Sequence, residues 1–192
     1  MINRLVYKTD SENKESILKC LKANPINEKV YALNLFEFLD TLYLYYECDD
    51  CELTPDEIMP ECAEWVRIYD IFHYSRPIDT EGWRRKCETQ PYAKMARLRP
   101  EMLSSYIFYH YQYQEENPGD GNKYGAIYLD GNVMFFYLEN PDIVEPVQYN
   151  GLLETDNTPS DWGGLMSKHF LYWEGSDEPW RNDVELIFSY FA

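Results

Sequence analysis

The stretch 128-YLDGNVMFFYLE-139 decides how this chain is read. Asp130-Gly131-Asn132 has the composition of a tight turn, because glycine accepts positive φ and asparagine bonds its own backbone. The runs beside it, 123-KYGAIYLD-130 and 132-NVMFFYLEN-140, hold the aromatic and branched residues that suit a pleated surface. They predict a β-hairpin. An earlier stretch, 38-FLDTLYLYYE-47, echoes it, with two strands joined at Leu39-Asp40. A second echo links Ile71-Phe72-His73-Tyr74 to Ile187-Phe188-Ser189-Tyr190.

Around the earlier hairpin the chain predicts a strand at 3-NRLVYKT-9 and a helix with Ile17, Leu18 and Leu21 on its apolar face. Thr9 and Glu12 suggest a capping box for that helix. A short helix follows in 54-TPDEIMPECAEWV-66, with Pro55 suited to its first turn, and then a strand in 66-VRIYDIFHYS-75. Around the later hairpin the order repeats. A strand at 92-YAKMARLR-99 precedes a helix opened by Pro100 and closed by Asn117-Pro118-Gly119. A helix candidate in 161-DWGGLMSKHF-170 and a strand in 184-VELIFSYF-191 complete it.

The repeat reads as an internal duplication of a βαββαβ unit. The expected fold is α+β, with two ferredoxin-like units in one chain forming a pseudo-dimeric α+β barrel. The expected division puts a structural unit at 1–88 and a site-bearing unit at 89–192, with the boundary in the polar 75-SRPIDTEGWRRKCETQ-90.

Charge narrows the partners. Seventeen Lys and Arg stand against 34 Asp and Glu, a net charge of −17. Phosphate-backbone binding needs clustered cations, so nucleic acid is not expected, nor is an anionic membrane surface. No apolar run is long enough to predict a membrane helix, and the first residues turn charged where a secretion signal would be apolar. Five cysteines without a framework read as reduced thiols in a cytoplasmic protein. A zinc site at Cys48-x-x-Cys51 would need four ligands, with only Cys62 and His73 downstream within reach, and the pair reads instead as two unlinked thiols on a loop. Neither a metal nor a cofactor is expected.

The chemistry-bearing candidates lie on the helix after Pro100. Leu103, Tyr106, Ile107, His110 and Gln114 share a face at i, i+3, i+4 spacing, so Tyr106 and His110 are neighbours. One reading is a core helix whose polar tips find backbone partners. The other is a phenol and an imidazole facing a pocket, where imidazole can donate and accept protons near neutrality.

From about Ala93 onward the chain resembles the L-rhamnose mutarotase family. The likeness lies in the succession Leu98-Arg99-Pro100, 104-SSYIFYH-110, 126-AIYLD-130, 134-MFFYLE-139, 155-TDNTPSDWGGLM-166 and 182-NDVELIFSYF-191. It implies that His110 is the proton-donating residue and acts as the acid/base, with Tyr106 orienting or relaying, and with Tyr106 and Trp162 contacting the sugar. The family's strand tyrosine falls at Gly125, with Tyr124 one residue away as the remaining binding candidate. Gly163 stands beside Trp162 where the family has a second tryptophan. The implied activity is an isomerase of carbohydrate metabolism, a mutarotase opening and reclosing L-rhamnose or a related aldose by acid/base chemistry. The alternative is a catalytically inactive relative acting as a small-ligand or protein-binding module. The expected partner is a monosaccharide, and further homo-oligomer formation stays open.

Overall fold

The computed structural model describes residues 2–49, 53–78 and 82–192. Nine strands dominate it: β1 Asn3–Asp10, β2 Val30–Phe38, β3 Thr41–Cys48, β4 Val66–His73, β5 Gln90–Leu98, β6 Ala126–Asp130, β7 Val133–Asn140, β8 Phe170–Leu171 and β9 Glu185–Phe191. Four helices join them: α1 Lys14–Ala23, α2 Pro55–Ile58, α3 Leu103–Glu116 and α4 Trp162–Ser167.

The described residues divide into two compact units. One comprises those of 1–69, 79–85 and 183–192, and the other those of 70–78 and 86–182. In the first, the strand order is β4-β1-β3-β2-β9. In the second it is β8-β5-β7-β6-β4. β4 gives its residues 66–69 to the first and 70–73 to the second.

The fold is therefore a mostly antiparallel β structure, about 22% helical, and not the expected pair of ferredoxin-like βαββαβ units in an α+β barrel. Two findings overturn that expectation. β9, expected to close the second half, pairs antiparallel with β2 from Ala32↔Phe191 to Glu37↔Glu185. The second helix expected in each half shrinks to the short α2 and α4. The reason is physical. Ile187, Phe188 and Tyr190 find their apolar partners in the first unit's core, and a strand goes where its face is buried, whatever its place in the chain.

Local signals were nevertheless strong. The β6–β7 hairpin registers Asp130 with Val133, and Gly131 takes φ 61° as the first turn residue. The β2–β3 hairpin turns at Leu39-Asp40, with Leu39 itself at φ 52°. Ile17 and Leu21 bury the inner face of α1. The capping box forms at Thr54 and Glu57 rather than at Thr9, whose Oγ1 accepts from Asn13 Nδ2 at 3.0 Å.

The echoed hairpins also share a bond. Tyr45 donates to the buried Glu47 at 2.6 Å, and Tyr137 donates to the buried Glu139 at 2.6 Å. Alternation puts residues i and i+2 on one face. Glu47 also accepts from Trp83 Nε1 at 3.0 Å.

Among the described residues no helix is long and apolar enough to cross a membrane. Cys51, half of the Cys48-x-x-Cys51 motif, lies outside the described residues.

Candidate functional site

In the second unit, alternation along β5 turns Lys94, Ala96 and Leu98 toward one face, and Phe136 lies opposite Lys94 on β7. Ala96 and Leu98 pack with Tyr106, Met166 and Phe170 in an apolar cluster. That packing is incomplete. A cavity of about 770 Å³ opens beside the cluster, walled by Phe72, Phe136, Trp162, Phe170 and Trp180, with Tyr106 and His110 in its lining. Its size is that of a small-molecule site.

Helix α3 enters through the 3-10 turn Pro100–Met102 and presents Tyr106 and His110 one turn apart. Their rings stack at 3.8 Å. Phe72 meets the imidazole edge-on at 5.1 Å, and Trp162 lies 5.0 Å from it. His110 Nδ1 sits 2.9 Å from the carbonyl oxygen of Tyr106. A carbonyl only accepts, so Nδ1 carries the proton and Nε2 keeps its lone pair. Burial in this aromatic surround lowers the imidazole to about 4, against a smaller opposing pull from the Tyr106 carbonyl. At neutral pH His110 is an uncharged acceptor. Burial also raises Tyr106, so its phenol stays protonated. Among the described residues nothing hydrogen-bonds the Tyr106 hydroxyl.

Trp162 arrives by a chain of anchors that begins on the same helix. Glu116 accepts from the Thr155 and Thr158 hydroxyls, each at 2.5 Å, and from the Asn157 and Thr158 amides at 3.0 and 2.7 Å. Three residues on, Asp161 Oδ1 accepts from the Gly164 amide at 3.1 Å and caps α4. A Cβ on Gly164 would fall 2.2 Å from the Asp161 carboxylate, so a side chain there would displace the cap. Desolvation pushes the Glu116 carboxyl up, but the bonds from Thr155, Thr158, Asn157 and Gln112 outweigh it and hold it at about 2. The clamp is therefore fully formed above the ordinary carboxylate range and lost as pH falls through about 2. Glu116→Ala is expected to release the 155–158 loop and shift Trp162 emission to longer wavelength with the fold retained. Unchanged emission would remove Glu116 from this role.

The predicted residues fall unequally. Tyr106, His110 and Trp162 come together at the cavity. Tyr124 does not line it: it is fully buried elsewhere, its amide held by Asn122 Oδ1 at 3.1 Å. Ile107 and Gln114 also leave the predicted face, and Gln114 accepts from the His73 amide at 3.1 Å. Tyr113 takes the vacated place, one turn beyond His110, with its ring 4.7 Å from Trp162. His169 stands behind Tyr106, with Nδ1 3.1 Å from the Leu165 carbonyl and Nε2 2.8 Å from Ser105 Oγ.

Tyr74 is the residue that sequence reasoning missed. Its ring lies where side chains at Gly121 and Gly125 would be: a Cβ on either would come within 2.5 or 2.6 Å of it. The Tyr74 amide donates to Gly125 O at 3.1 Å, and the ring lines the cavity. Two glycines four apart, and a tyrosine just past the end of a strand, were the available signal. Gly125→Ala is expected to cost about 1–3 kcal/mol by overpacking. In a Tyr74→Ala background the penalty should shrink to what the Asn122 carbonyl oxygen, 3.0 Å from that Cβ, still imposes, and urea denaturation of the four proteins checks it. Gly163 is the opposite case, since a Cβ there would meet nothing within 4 Å, so the place beside Trp162 is open space.

Comparison of the chain with protein-family models, curated proteins and solved structures finds no match.

Proposed function

We propose that the second unit binds a monosaccharide in the aromatic cavity and interconverts its anomers, the activity to which the mutarotase resemblance points. One observation carries the reading: the Nδ1 of His110 is tied to a carbonyl, leaving Nε2 as an acceptor on a ring that stacks on Tyr106 in the cavity lining. Nε2 takes the proton of the anomeric hydroxyl. As the C1–O bond to the ring oxygen breaks, that oxygen takes a proton from Tyr106, relayed or donated directly, and the anomeric carbon becomes an aldehyde. Rotation about C1–C2 and the reverse transfers reclose the ring on the other face, so both protons return and nothing is consumed. Trp162 and Phe72 offer flat apolar walls to the sugar's C–H face. Each proton-transfer group can contribute roughly 10²–10⁴-fold. The thiols Cys20, Cys62 and Cys87 suit a reducing, cytoplasmic setting.

A second reading is a binding pocket without catalysis, favoured by the low basicity of His110 and the open space at Gly163. NMR saturation transfer between the α and β anomers of L-rhamnose, followed by a panel of aldoses, separates the two. Accelerated exchange is expected with at least one sugar. Binding without acceleration across the panel selects the second reading.

A further inference from the structure

We infer that the ligand of this cavity carries an anionic group, a carboxylate or a phosphate, and that Lys94 receives it. The inference rests on the sugar reading above and narrows its substrate class to anionic monosaccharide derivatives.

Lys94 occupies a position where the sheet elsewhere is apolar. It shares the face of Ala96 and Leu98, lies opposite Phe136, and lines the cavity with Tyr172 and Trp180 nearby in the wall. An ammonium on such a wall loses hydration and needs a partner. It has none of opposite charge: among the described residues Lys94 makes no ion pair, and its ammonium lies 5.9 Å from the centre of the Tyr92 ring. Scarcity of carboxylates is not the cause, since acidic residues outnumber basic ones 34 to 17. Other partly buried lysines do find them. Lys14 pairs with Glu37 at 2.5 Å, and Lys123 pairs with Glu145 at 2.8 Å.

The acidic residue in the lining is Glu178, exposed and on the turn before Pro179. It forms no ion pair with Lys94, whereas Lys94 is held on the sheet. A lysine is a compact point charge that suits carboxylate and phosphate alike. The net negative charge of the chain acts at longer range and is screened beyond about 8 Å at physiological salt. Inside the cavity the local ammonium decides.

The test is a fluorescence titration of the parent protein, reading Trp162 and Trp180, with L-rhamnose, D-galacturonate and D-glucose 6-phosphate. At least one anionic sugar should bind ten-fold or more tightly than L-rhamnose, and the tighter of the two identifies the group. Lys94→Met should bring the three within two-fold, and Lys94→Arg should keep the preference. A thermal melt of each variant confirms folding, and if Lys94→Met does not fold, Lys94→Gln replaces it. Equal binding of neutral and anionic sugars, or a preference that survives loss of the amine, overturns the inference.

Anomer exchange measured on the same samples separates the two claims. Exchange of neutral sugars without anion preference defeats the Lys94 inference alone. Anion-selective binding without exchange defeats the mutarotase reading alone. No binding of any of the three overturns the Lys94 inference, and absence of exchange across the aldose panel as well overturns the mutarotase reading.

Discussion

Replacing His110 by asparagine is expected to lower anomer exchange by at least 100-fold, because it removes the acceptor at the position of Nε2 while keeping a polar side chain of similar reach. The parent rate should stay flat from neutral pH down to about 5 and fall as pH drops through about 4, where the imidazole gains its proton. A rate limb near the ordinary histidine value would mean that another group supplies the base. The same residue makes a prediction about stability that needs no ligand. Its folded value, about 4, lies below the unfolded 6.5. The unfolded chain therefore binds more protons between those limits, and folding stability rises with pH across the window. The contribution is complete above 6.5 and lost as pH falls through 4. The shift corresponds to a difference on the order of 3 kcal/mol. Urea midpoints at pH 7 and pH 4 should show the parent losing that much more than His110→Asn. Equal losses would place the imidazole in a wetter, more exposed setting than the one described.

Glu115→Ala is expected to destabilise the protein by about 3–5 kcal/mol. Glu115 is fully buried and is the acceptor on which several donors converge. Gln114 Nε2 reaches Oε1 at 2.8 Å, the Leu152 amide reaches Oε2 at 3.0 Å, and the Tyr149 hydroxyl donates to Oε2 as well. Arg76 Nη2 stands 3.6 Å from Oε1 and neutralises the charge. Removing the carboxylate strands these donors, and each buried unsatisfied group costs roughly 1–3 kcal/mol. Arg76 is half exposed, so its own charge can return to water. Glu115→Gln keeps one acceptor oxygen and should cost less, about 1–3 kcal/mol. The backbone is tight here too: Gly151 takes φ 75°, and a Cβ on it would fall 2.2 Å from the Glu115 carbonyl oxygen. Denaturant unfolding measures both variants, and a loss under 1 kcal/mol for Glu115→Ala would show that water replaces the carboxylate. The cavity depends on this bond set through the chain, because the segment held by Glu115 runs directly into the 155–158 loop held by Glu116.

What the sequence by itself determined is local. The turn at Asp130-Gly131-Asn132, the strands beside it, and the turn of α3 that sets Tyr106 next to His110 follow from φ preferences and from periods of 2 and 3.6 residues. These act between residues a few positions apart, so they are written in the chain. The tertiary structure decided the rest. Whether β9 pairs with β2 depends on which exposed edge and apolar face it meets, and its own alternation is the same wherever it docks. The ring of Tyr74, just past β4, fills the space above Gly121 and Gly125, about fifty residues away in the chain, because the end of β4 and the residues after it belong to the second unit. Gln114 and Ile107 left the predicted face for the same kind of reason: the Glu115 network draws Gln114 away, and Tyr113 packs against Trp162 instead. Burial, which lowers His110 to about 4 and leaves Lys94 without an ionic partner, is a property of the assembled surroundings. Residue type supplies the groups, and long-range packing sets their protonation and what they face.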